Sequence, residues 1–179
     1  LLSRLAEKHA ARERALPLSR EAIRFSANSI RATHRGEIEK ARSILDQARS
    51  HVAKIREALA EYPDIYYAGF AQDAEKEFVE ASILLAIVSG MPIPEPEELD
   101  VSPAVYLNGL GEAASELRRY VLDQLRHRSA VDCEPILEAM DEVYSLLVTM
   151  DFPDSLTGGL RRTTDLVRGV LERTRGDLT

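Results

Sequence analysis

Four glutamates have the spacing that could bind a divalent metal ion. Glu77 and Glu80 are three residues apart, and Glu112 and Glu116 are four apart, so in helices each pair lies on one face. The almost wholly apolar segment 82–88 follows the first pair, which predicts that this face runs into a core. A carboxylate there is costly unless a positive charge neutralises it. Since hard divalent metal ions prefer oxygen ligands, the four residues are candidate metal ligands.

The alternative is that the four glutamates are surface acids on charged helices. The chain has 30 acidic residues, so such pairs arise easily. The sequence offers no convincing nucleophilic triad, however, and its four histidines are scattered. It also lacks the Glu-x-x-His motif of di-iron helical bundles. Chemistry at these positions would therefore depend on the carboxylates alone.

The composition predicts one soluble domain over residues 1–179. The chain is 45% hydrophobic and 30% charged, and it contains a single cysteine, Cys133, which excludes an internal disulfide and fits a reducing cytoplasm. It has no run of 18 apolar residues and no evident signal peptide, so we expect a cytoplasmic protein without a membrane span. A net charge of −7 argues weakly against a protein coated in nucleic acid, although local basic stripes can override it.

The hydrophobic pattern predicts an all-α fold, an antiparallel bundle of six to seven helices. Apolar residues recur at steps of three and four, and no alternating strand pattern is present. The predicted helices cover residues 1–15, 19–35, 37–61, 64–89, 103–128 and 132–150, with a last helix from about 153 to 175 that is interrupted at residues 158–159.

Proline, glycine and serine set the predicted helix ends. Pro17 should break or kink the first helix, with Ser19 capping the second. Gly90 is a predicted stop. Segment 91–103 holds four prolines and is the predicted linker, and Ser102 should cap the helix that follows it.

Two arginine stripes could contact the phosphates of a nucleic acid. A spacing of seven residues drifts by only about 20° per step around a helix, so residues at this spacing form a ridge. In the first stripe, Arg20, Arg24, Arg31 and Arg35 follow one another at steps of four, seven and four. In the second stripe, Arg35, Arg42, Arg49 and Arg56 follow one another at steps of seven. The alternative is a solvated face whose arginines pair with acids such as Glu39 and Asp46. Phosphate contact would give salt-dependent binding.

Two segments resemble the translin/Trax family. Residues 76–81, KEFVEA, resemble the Q-E-Y-V-E-A segment of Trax. Residues 106–119, YLNGLGEAASELRR, resemble the Y-L-L-G-V-A-D-L-T-G-E-L-M-R segment shared by translin and Trax. The similarity extends over the whole chain in the order and number of helices, and only these two segments are specific. The compact chain resembles a prokaryotic, archaeal member that assembles with itself.

The resemblance implies a function. Trax is a metal-dependent endoribonuclease, translin is a related nucleic-acid binder without catalysis, and family members form closed octameric shells around nucleic acid. The catalytic carboxylates of Trax correspond to Glu77, Glu80, Glu112 and Glu116. The resemblance implies that these residues bind Mg²⁺ or Mn²⁺ and that the protein cleaves RNA. Glu112 replaces an aspartate of the family and is one methylene longer, so the metal position would have to shift. Ser115 replaces a glycine, a mild change.

Two other functions stay open on the sequence. One is a translin-like oligomer that binds RNA or single-stranded DNA without cleaving it, which the arginine stripes support equally well. The other is an all-α nucleoside-triphosphate pyrophosphohydrolase. That family has Glu-x-x-Asp in its second acidic helix, whereas here Glu112 and Glu116 are four residues apart, so we rank it lower.

An aromatic cluster predicts self-association. Tyr62, Ile65, Tyr66, Tyr67 and Phe70 carry more apolar surface than one bundle face should need. If exposed, such a patch would favour a homo-oligomer, which the family resemblance makes an octamer. The alternative is that the cluster packs under segment 91–103.

Overall fold

The computed structural model describes residues 1–127 and 130–179, in which every regular element is helical. The six long helices are α1 (Leu2–His34), α2 (Ile38–Ala58), α4 (Phe70–Val88), α6 (Pro103–Leu125), α7 (Glu134–Thr149) and α9 (Leu160–Leu178). The one-turn helices are α3 (Pro63–Tyr66), α5 (Pro96–Leu99) and α8 (Asp154–Thr157), and a 3-10 turn covers Ala130–Cys133. The predicted all-α class is confirmed. None of the helices in these residues is both long and apolar enough to cross a membrane.

The described chain divides into two compact units, Leu1–Ala81 and Ser82–Thr179. The first unit contains α1 to α3 and the beginning of α4, and the second contains the end of α4 and the remaining elements. The division falls within α4, directly after the segment that carries Glu77 and Glu80. Each acidic pair therefore lies wholly within one unit.

In the first unit, α1 and α2 form a hairpin whose contact is built from small and branched apolar residues. Five apolar residues of α2, which recur at the steps of three and four that predict the helix, are buried, namely Ala41, Leu45, Ala48, Val52 and Ile55. On α1, Ser29 Oγ donates a hydrogen bond of 2.8 Å to the carbonyl of Ala41. The amide of Glu37 donates to the carbonyl of Ala32 across the turn, 2.9 Å. The predicted apolar face of α2 is thus confirmed.

The predicted interruption of α1 near Pro17 is wrong. One helix runs from Leu2 to His34, and Ser19 lies within it, where its hydroxyl donates to the carbonyl of Leu16 at 2.9 Å instead of capping a new helix. Proline costs about 3 kcal/mol in a helix interior. The buried stripe of small residues from Ala11 to Ser29 continues through this position, and its packing outweighs that local cost.

The predicted helix 64–89 is instead two helices. Pro63 begins the single turn of α3, and Gly69, with φ 127°, separates that turn from α4. Only glycine adopts this backbone angle readily, so the helix cannot continue through it. The predicted stop at Gly90 is confirmed: its φ is 68°, and the amide of Met91 donates back to the carbonyl of Ala86 at 2.9 Å.

The predicted linker contains a helical turn. Glu95 and Glu98 form a reciprocal capping box around α5, and Asp100 ends the turn in the left-handed conformation. The hydroxyl of Tyr106 donates to the carbonyl of Pro94 at 2.9 Å. The segment is therefore not extended throughout, as its four prolines had predicted. Proline is compatible with the first position of a helix, and Pro96 begins α5 in this way.

In the second unit, α6 packs against α7 and α9. Ser102 caps α6 as predicted, since its Oγ accepts from the amide of Val105 at 3.4 Å. A side chain at Gly111 would place its Cβ 2.3 Å from Thr163 Cγ2, which shows how closely α6 and α9 approach. The predicted end of this helix near residue 128 lies outside the described residues.

The remaining boundaries agree closely with the predictions. The helix predicted over 132–150 is α7, which begins two residues later because a 3-10 turn precedes it. The predicted interruption at Gly158 and Gly159 separates α8 from α9, and both glycines have left-handed backbone angles. Cys133, at the end of the 3-10 turn, is 1% exposed.

Candidate metal centre and nucleic-acid interface

Helix α4 holds Glu77 and Glu80 within strongly apolar surroundings. The side chains of Phe78, Val79 and Ala81 are fully buried. Glu80 is 8% exposed and Glu77 is half-buried. The two residues share one helix face, and a carboxylate oxygen of Glu77 lies within 4.8 Å of a carboxylate oxygen of Glu80. The sequence correctly predicted an acidic pair on a face that runs into the core.

The donor set of this pair fits a hard divalent cation. Both potential ligands are carboxylate oxygens, which Mg²⁺ and Mn²⁺ favour over nitrogen or sulfur. Two negative charges this close repel each other, and a cation bound by both would remove that repulsion. Its charge would also offset the cost of burying Glu80.

The second acidic pair lies on α6 in the other unit. Glu112 and Glu116 are both half-buried and lie one helical turn apart on the same face. Glu112, like Glu77 and Glu80, offers a carboxylate oxygen that could bind a metal ion. An oxygen of Glu116 lies 3.9 Å from Nη1 of Arg119, a long ion pair. Such a pair contributes little to stability.

Sequence reasoning missed the buried role of Glu75. Glu75 is 2% exposed, and its Oε1 accepts a hydrogen bond of 3.0 Å from Nε of Arg56 and a second one from the hydroxyl of Tyr66. Burial and the adjacent carboxylate raise the pKa of Tyr66 above its ordinary value. The side-chain amide of Gln72 also donates to the carbonyl of Tyr66 at 2.8 Å. These bonds tie α2, α3 and the start of α4 together.

The arginines of the α2 stripe have different environments. Arg35 pairs with Glu37 at 2.6 Å and Arg42 with Glu39 at 3.4 Å, and both guanidinium groups are exposed. Since exposed pairs are worth at most about 1 kcal/mol, these arginines can exchange their partners for a phosphate at little cost. Arg56 differs, because its side chain is 23% exposed and is bound to the buried Glu75.

Arg49 is the member of this stripe that lies beside the acidic helix. Its guanidinium carbon is 5.2 Å from the centre of the Phe78 ring, within the range of a cation–π contact. Arg49 itself is exposed, whereas Phe78 is fully buried. The charge of Arg49 is thus held against the side of α4 that carries Phe78, which is a different helix face from that of Glu77 and Glu80.

The arginines of the α1 stripe are exposed and make short-range contacts. Arg24 pairs with Glu21 at 2.5 Å, and this contact lowers the pKa of Glu21. Its guanidinium carbon also lies 4.6 Å from the centre of the Phe25 ring. Arg31 donates to Asn28 Oδ1 at 2.6 Å, and Arg20 is exposed. These arginines therefore leave positive charge at the surface of the first unit.

The aromatic cluster is mostly covered in the structure. Tyr67 is 70% exposed, but Tyr62, Ile65, Tyr66 and Phe70 are only partly exposed. Ile65 and Tyr66 lie in the single turn of α3, and the hydroxyl of Tyr66 donates a hydrogen bond to Glu75. The cluster is therefore a smaller patch than its sequence suggests.

Comparison with known proteins finds close relatives over nearly the whole chain. The crystal structure of AfC3PO, from Archaeoglobus, has a TM-score of 0.90 and 39% identity, and the match covers 98% of this chain and 92% of that one. A structure of AfC3PO in complex with duplex RNA has a TM-score of 0.89 and 38% identity, covering 98% and 91%. An uncharacterised protein of Methanocaldococcus jannaschii is 33% identical over 180 residues, which are 99% of this chain and 79% of that protein.

A more distant structure shares the fold. The crystal structure of apo-NeC3PO, from Nematostella, has a TM-score of 0.88 and 22% identity, covering 99% of this chain and 95% of that one. At that identity the likeness shows the fold alone. No protein-family model matches the sequence. The identity to AfC3PO over almost all of both chains is nevertheless decisive: the chain belongs to the translin/Trax family.

Proposed function

We propose that this protein is a metal-dependent endoribonuclease of the translin/Trax type. The observation that carries the proposal is the pair Glu77 and Glu80, whose carboxylate oxygens lie within 4.8 Å on a largely buried helix face. We propose Glu112 and Glu116 as further ligands, on the basis of the family resemblance. The bound ion would be Mg²⁺ or Mn²⁺, which suits a set of carboxylate ligands.

The four glutamates would act as metal ligands, and a water molecule activated by the metal ion would be the nucleophile. When bound, the metal ion would lower the pKa of a coordinated water and stabilise the charge that develops on the scissile phosphate. Glu80, being almost fully buried, has little freedom and would fix the geometry of the site. The half-buried Glu77 lies nearer the solvent from which RNA would approach.

RNA is the proposed substrate. AfC3PO, whose structure was determined with duplex RNA, is 38% identical over 98% of this chain. The exposed guanidinium groups on α1 and α2 supply local positive charge, although the net charge of the whole chain is −7. They would bind phosphates of RNA, or of single-stranded DNA, independently of sequence.

The decisive experiment measures cleavage of labelled single-stranded and duplex RNA with Mn²⁺, with Mg²⁺ and with chelator. We expect cleavage only with metal, and a loss on the order of 100-fold or more in Glu80→Gln, since this change keeps the shape and removes the charged ligand. Glu39→Gln is the matched control, because Glu39 is 85% exposed and lies on α2.

Three results would contradict the assignment. Cleavage at the wild-type rate in Glu80→Gln would exclude Glu80 from the site. Cleavage that survives removal of all divalent metal would exclude the mechanism. An equal loss in Glu39→Gln would indicate a general effect of charge rather than the removal of a ligand.

A second candidate is an oligomer that binds RNA without cleaving it. The exposed arginines of the first unit favour this function as much as they favour cleavage, since they do not depend on the glutamates. Tight, metal-independent RNA binding without any cleavage would select it. Binding that weakens steeply with salt is expected in both cases.

We also propose a homo-oligomer, most simply the octameric shell of the family. Four large apolar side chains in the part of the second unit from α7 to α9 are more than half exposed, namely Val148, Phe152, Leu156 and Leu166. They lie on α7, α8 and α9 and in the segments that join them, and exposed apolar surface of this kind favours association.

A further inference from the structure

We propose that a pocket at the end of α2 binds one unpaired base of RNA, which stacks on Tyr67 and accepts a hydrogen bond from Arg56. This inference rests on the proposed function, because it takes RNA as the ligand, but it does not require that the RNA be cleaved. It adds contact with a base to the phosphate contacts proposed for the exposed arginines. Such a contact distinguishes unpaired from paired RNA, which phosphate contacts alone do not do.

The pocket lies where the chain turns from α2 into α3, within the first unit. Its volume is about 260 Å³, and its lining residues are Arg56, Leu59, Ala60, Pro63, Tyr66 and Tyr67. Across the turn, the amide of Tyr62 donates to the carbonyl of Leu59 and the amide of Tyr67 to the carbonyl of Pro63, both at 2.9 Å. Since drug-sized ligands occupy roughly 300–1,000 Å³, this preformed pocket suits a ligand of about the size of one base.

Two tyrosine rings give the pocket flat walls. The ring centres of Tyr66 and Tyr67 are 4.9 Å apart, and the ring planes meet at 87°. A flat ligand that stacks on one ring therefore meets the other ring at its edge. Tyr67 is 70% exposed and accessible to a ligand, whereas Tyr66 is half-buried and is held by its hydrogen bond to Glu75. Every RNA base has a flat face that can stack on such a ring.

The charge at the pocket favours a base over a phosphate. Nε of Arg56 donates a hydrogen bond of 3.0 Å to the buried Glu75, so a carboxylate already balances the charge of the guanidinium group. A phosphate would bring a second negative charge close to Glu75, whereas a neutral base brings none. A guanidinium group has five N–H donors, more than one carboxylate oxygen can accept, and the edges of all RNA bases carry acceptors.

The pocket continues the α2 stripe. Arg49 and Arg56 are seven residues apart, which corresponds to about 10 Å along a helix. Arg42 and Arg49 are exposed on the same helix, where they can contact phosphates. A strand that follows these arginines toward the end of α2 therefore arrives at the pocket. The stripe would hold the backbone of the strand, and the pocket would hold one of its bases.

The test measures the affinity for RNA in the presence of chelator, so that no cleavage takes place. The probes are single-stranded oligouridine, a strand of the same length in which abasic residues replace the uridines, and a blunt duplex. We expect Tyr67→Ala to weaken the binding of oligouridine on the order of 5- to 100-fold, the usual effect of losing one base–aromatic stack. Binding of the other two probes should be nearly unchanged, since neither offers an unpaired base.

Two further variants serve as controls. Tyr67→Phe keeps the ring and should bind oligouridine nearly as tightly as wild type. Leu5→Ala removes a 59% exposed apolar side chain elsewhere in the first unit and should change the affinity for no probe. Arg56 stays in place in every variant, because removing it would leave the buried Glu75 without this partner.

A modified strand tests the role of Arg56 instead. Phenyl rings in place of the uracils keep a flat face but remove the hydrogen-bond acceptors. We expect wild type to bind this strand on the order of 10-fold less tightly than oligouridine, as loss of a hydrogen bond to a charged group predicts. Equal or tighter binding of the phenyl strand would overturn the hydrogen bond from Arg56.

The remaining outcomes separate this inference from the proposed function. Unchanged binding of oligouridine by Tyr67→Ala, or an equal loss with all three probes, would overturn the base pocket while leaving the proposed nuclease intact. A lower mass of Tyr67→Ala in light scattering would also overturn it, since the ring would then lie between copies of the chain. If wild type binds these probes as expected but cleaves RNA with no metal, the nuclease falls and the base pocket stands.

Discussion

A buried ion pair in the first unit shows that not every glutamate of α4 is a candidate ligand, because one of them stabilises the fold. Glu75 and Arg56 meet beneath the surface, and the same carboxylate oxygen accepts a hydrogen bond from Tyr66. Removing one partner of such a buried pair is costly, because the other charge stays in a poor environment. The acidic stretch at the start of α4 therefore contains two kinds of glutamate: Glu75 stabilises the unit, and Glu77 and Glu80 remain as candidate ligands.

The contribution of the Tyr66 hydroxyl can be measured with a neighbouring control. We expect Tyr66→Phe to lower the free energy of unfolding by about 1.5–3 kcal/mol, the usual value of a hydrogen bond to a charged group. Tyr67→Phe makes the same change at the next residue, whose side chain is 70% exposed, and should be nearly neutral. Denaturant titrations of the two variants test this, and equal effects would contradict the assignment.

The same contact predicts a dependence of stability on pH. The pKa of Tyr66 is raised in the folded protein, so its contribution is complete below the ordinary tyrosine pKa of about 10 and is lost as the pH rises above it. The difference in unfolding free energy between wild type and Tyr66→Phe should therefore be constant from pH 7 to 9 and shrink toward pH 11. A difference that grows with pH would show that the shift has the opposite sign.

At the scale of helices, packing determines whether a proline ends a helix when the proline and the apolar pattern predict different things. Pro17 lies inside α1, while Pro63 and Pro103 stand at helix starts. The two starting positions follow the ordinary preference of proline for the first helical turn. Pro17 persists because the small buried residues on both sides of it pack as one continuous stripe. A proline is thus informative about a helix end only when the apolar pattern also ends there.

Replacing Pro17 should therefore stabilise the protein. Pro17→Ala restores a backbone donor and relieves the clash with the preceding turn, and we expect a gain of about 1–3 kcal/mol in the free energy of unfolding. The matched variant Pro63→Ala changes a proline at the first position of α3 and should give no gain. Thermal and denaturant unfolding of both variants provides the comparison. A loss of stability in Pro17→Ala would mean that a bend at this position is required by the packing.

The sequence predicts most of the helices because their apolar period is long and regular. The face of α2 from Ala41 to Ile55 is buried as its spacing requires. The break at Gly69 was missed because one glycine in an apolar pattern is usually tolerated, and only the backbone angle of 127° shows that the helix stops there. Arg56 continues the seven-residue spacing of Arg42 and Arg49, so spacing alone could not show that it binds Glu75, 19 residues further along the chain.

At the scale of the whole molecule, several large apolar side chains of the second unit are exposed near one another in the chain. Leu156 is 67% exposed, Leu166 60% and Phe152 57%. A groove of about 500 Å³ in the same unit is lined mainly by apolar residues, among them Tyr106, Leu110 and Leu146. Surface of this kind on an isolated chain favours burial against another copy. The proposed assembly would give these side chains a partner.

We expect light scattering to give a mass far above the 20.0 kDa of one chain, and about 160 kDa for an octamer. Leu156→Glu should reduce this mass, because a charge buried in an apolar interface is strongly unfavourable. Leu2→Glu, at an 83% exposed leucine of the first unit, is the control for added charge. A mass near 20 kDa for wild type would mean that one chain works alone, and enclosure of RNA in a shell would be excluded.

The burial of Cys133 makes the protein well suited to site-directed labelling. As the single cysteine of the chain, and with 1% exposure, it should react slowly with thiol reagents while the protein is folded. A cysteine introduced at an exposed position of α2, such as Ser50, could then carry a spin label without prior removal of the native thiol. The distance from that label to bound Mn²⁺ would test whether the ion lies at the proposed ligands, without any measurement of RNA cleavage.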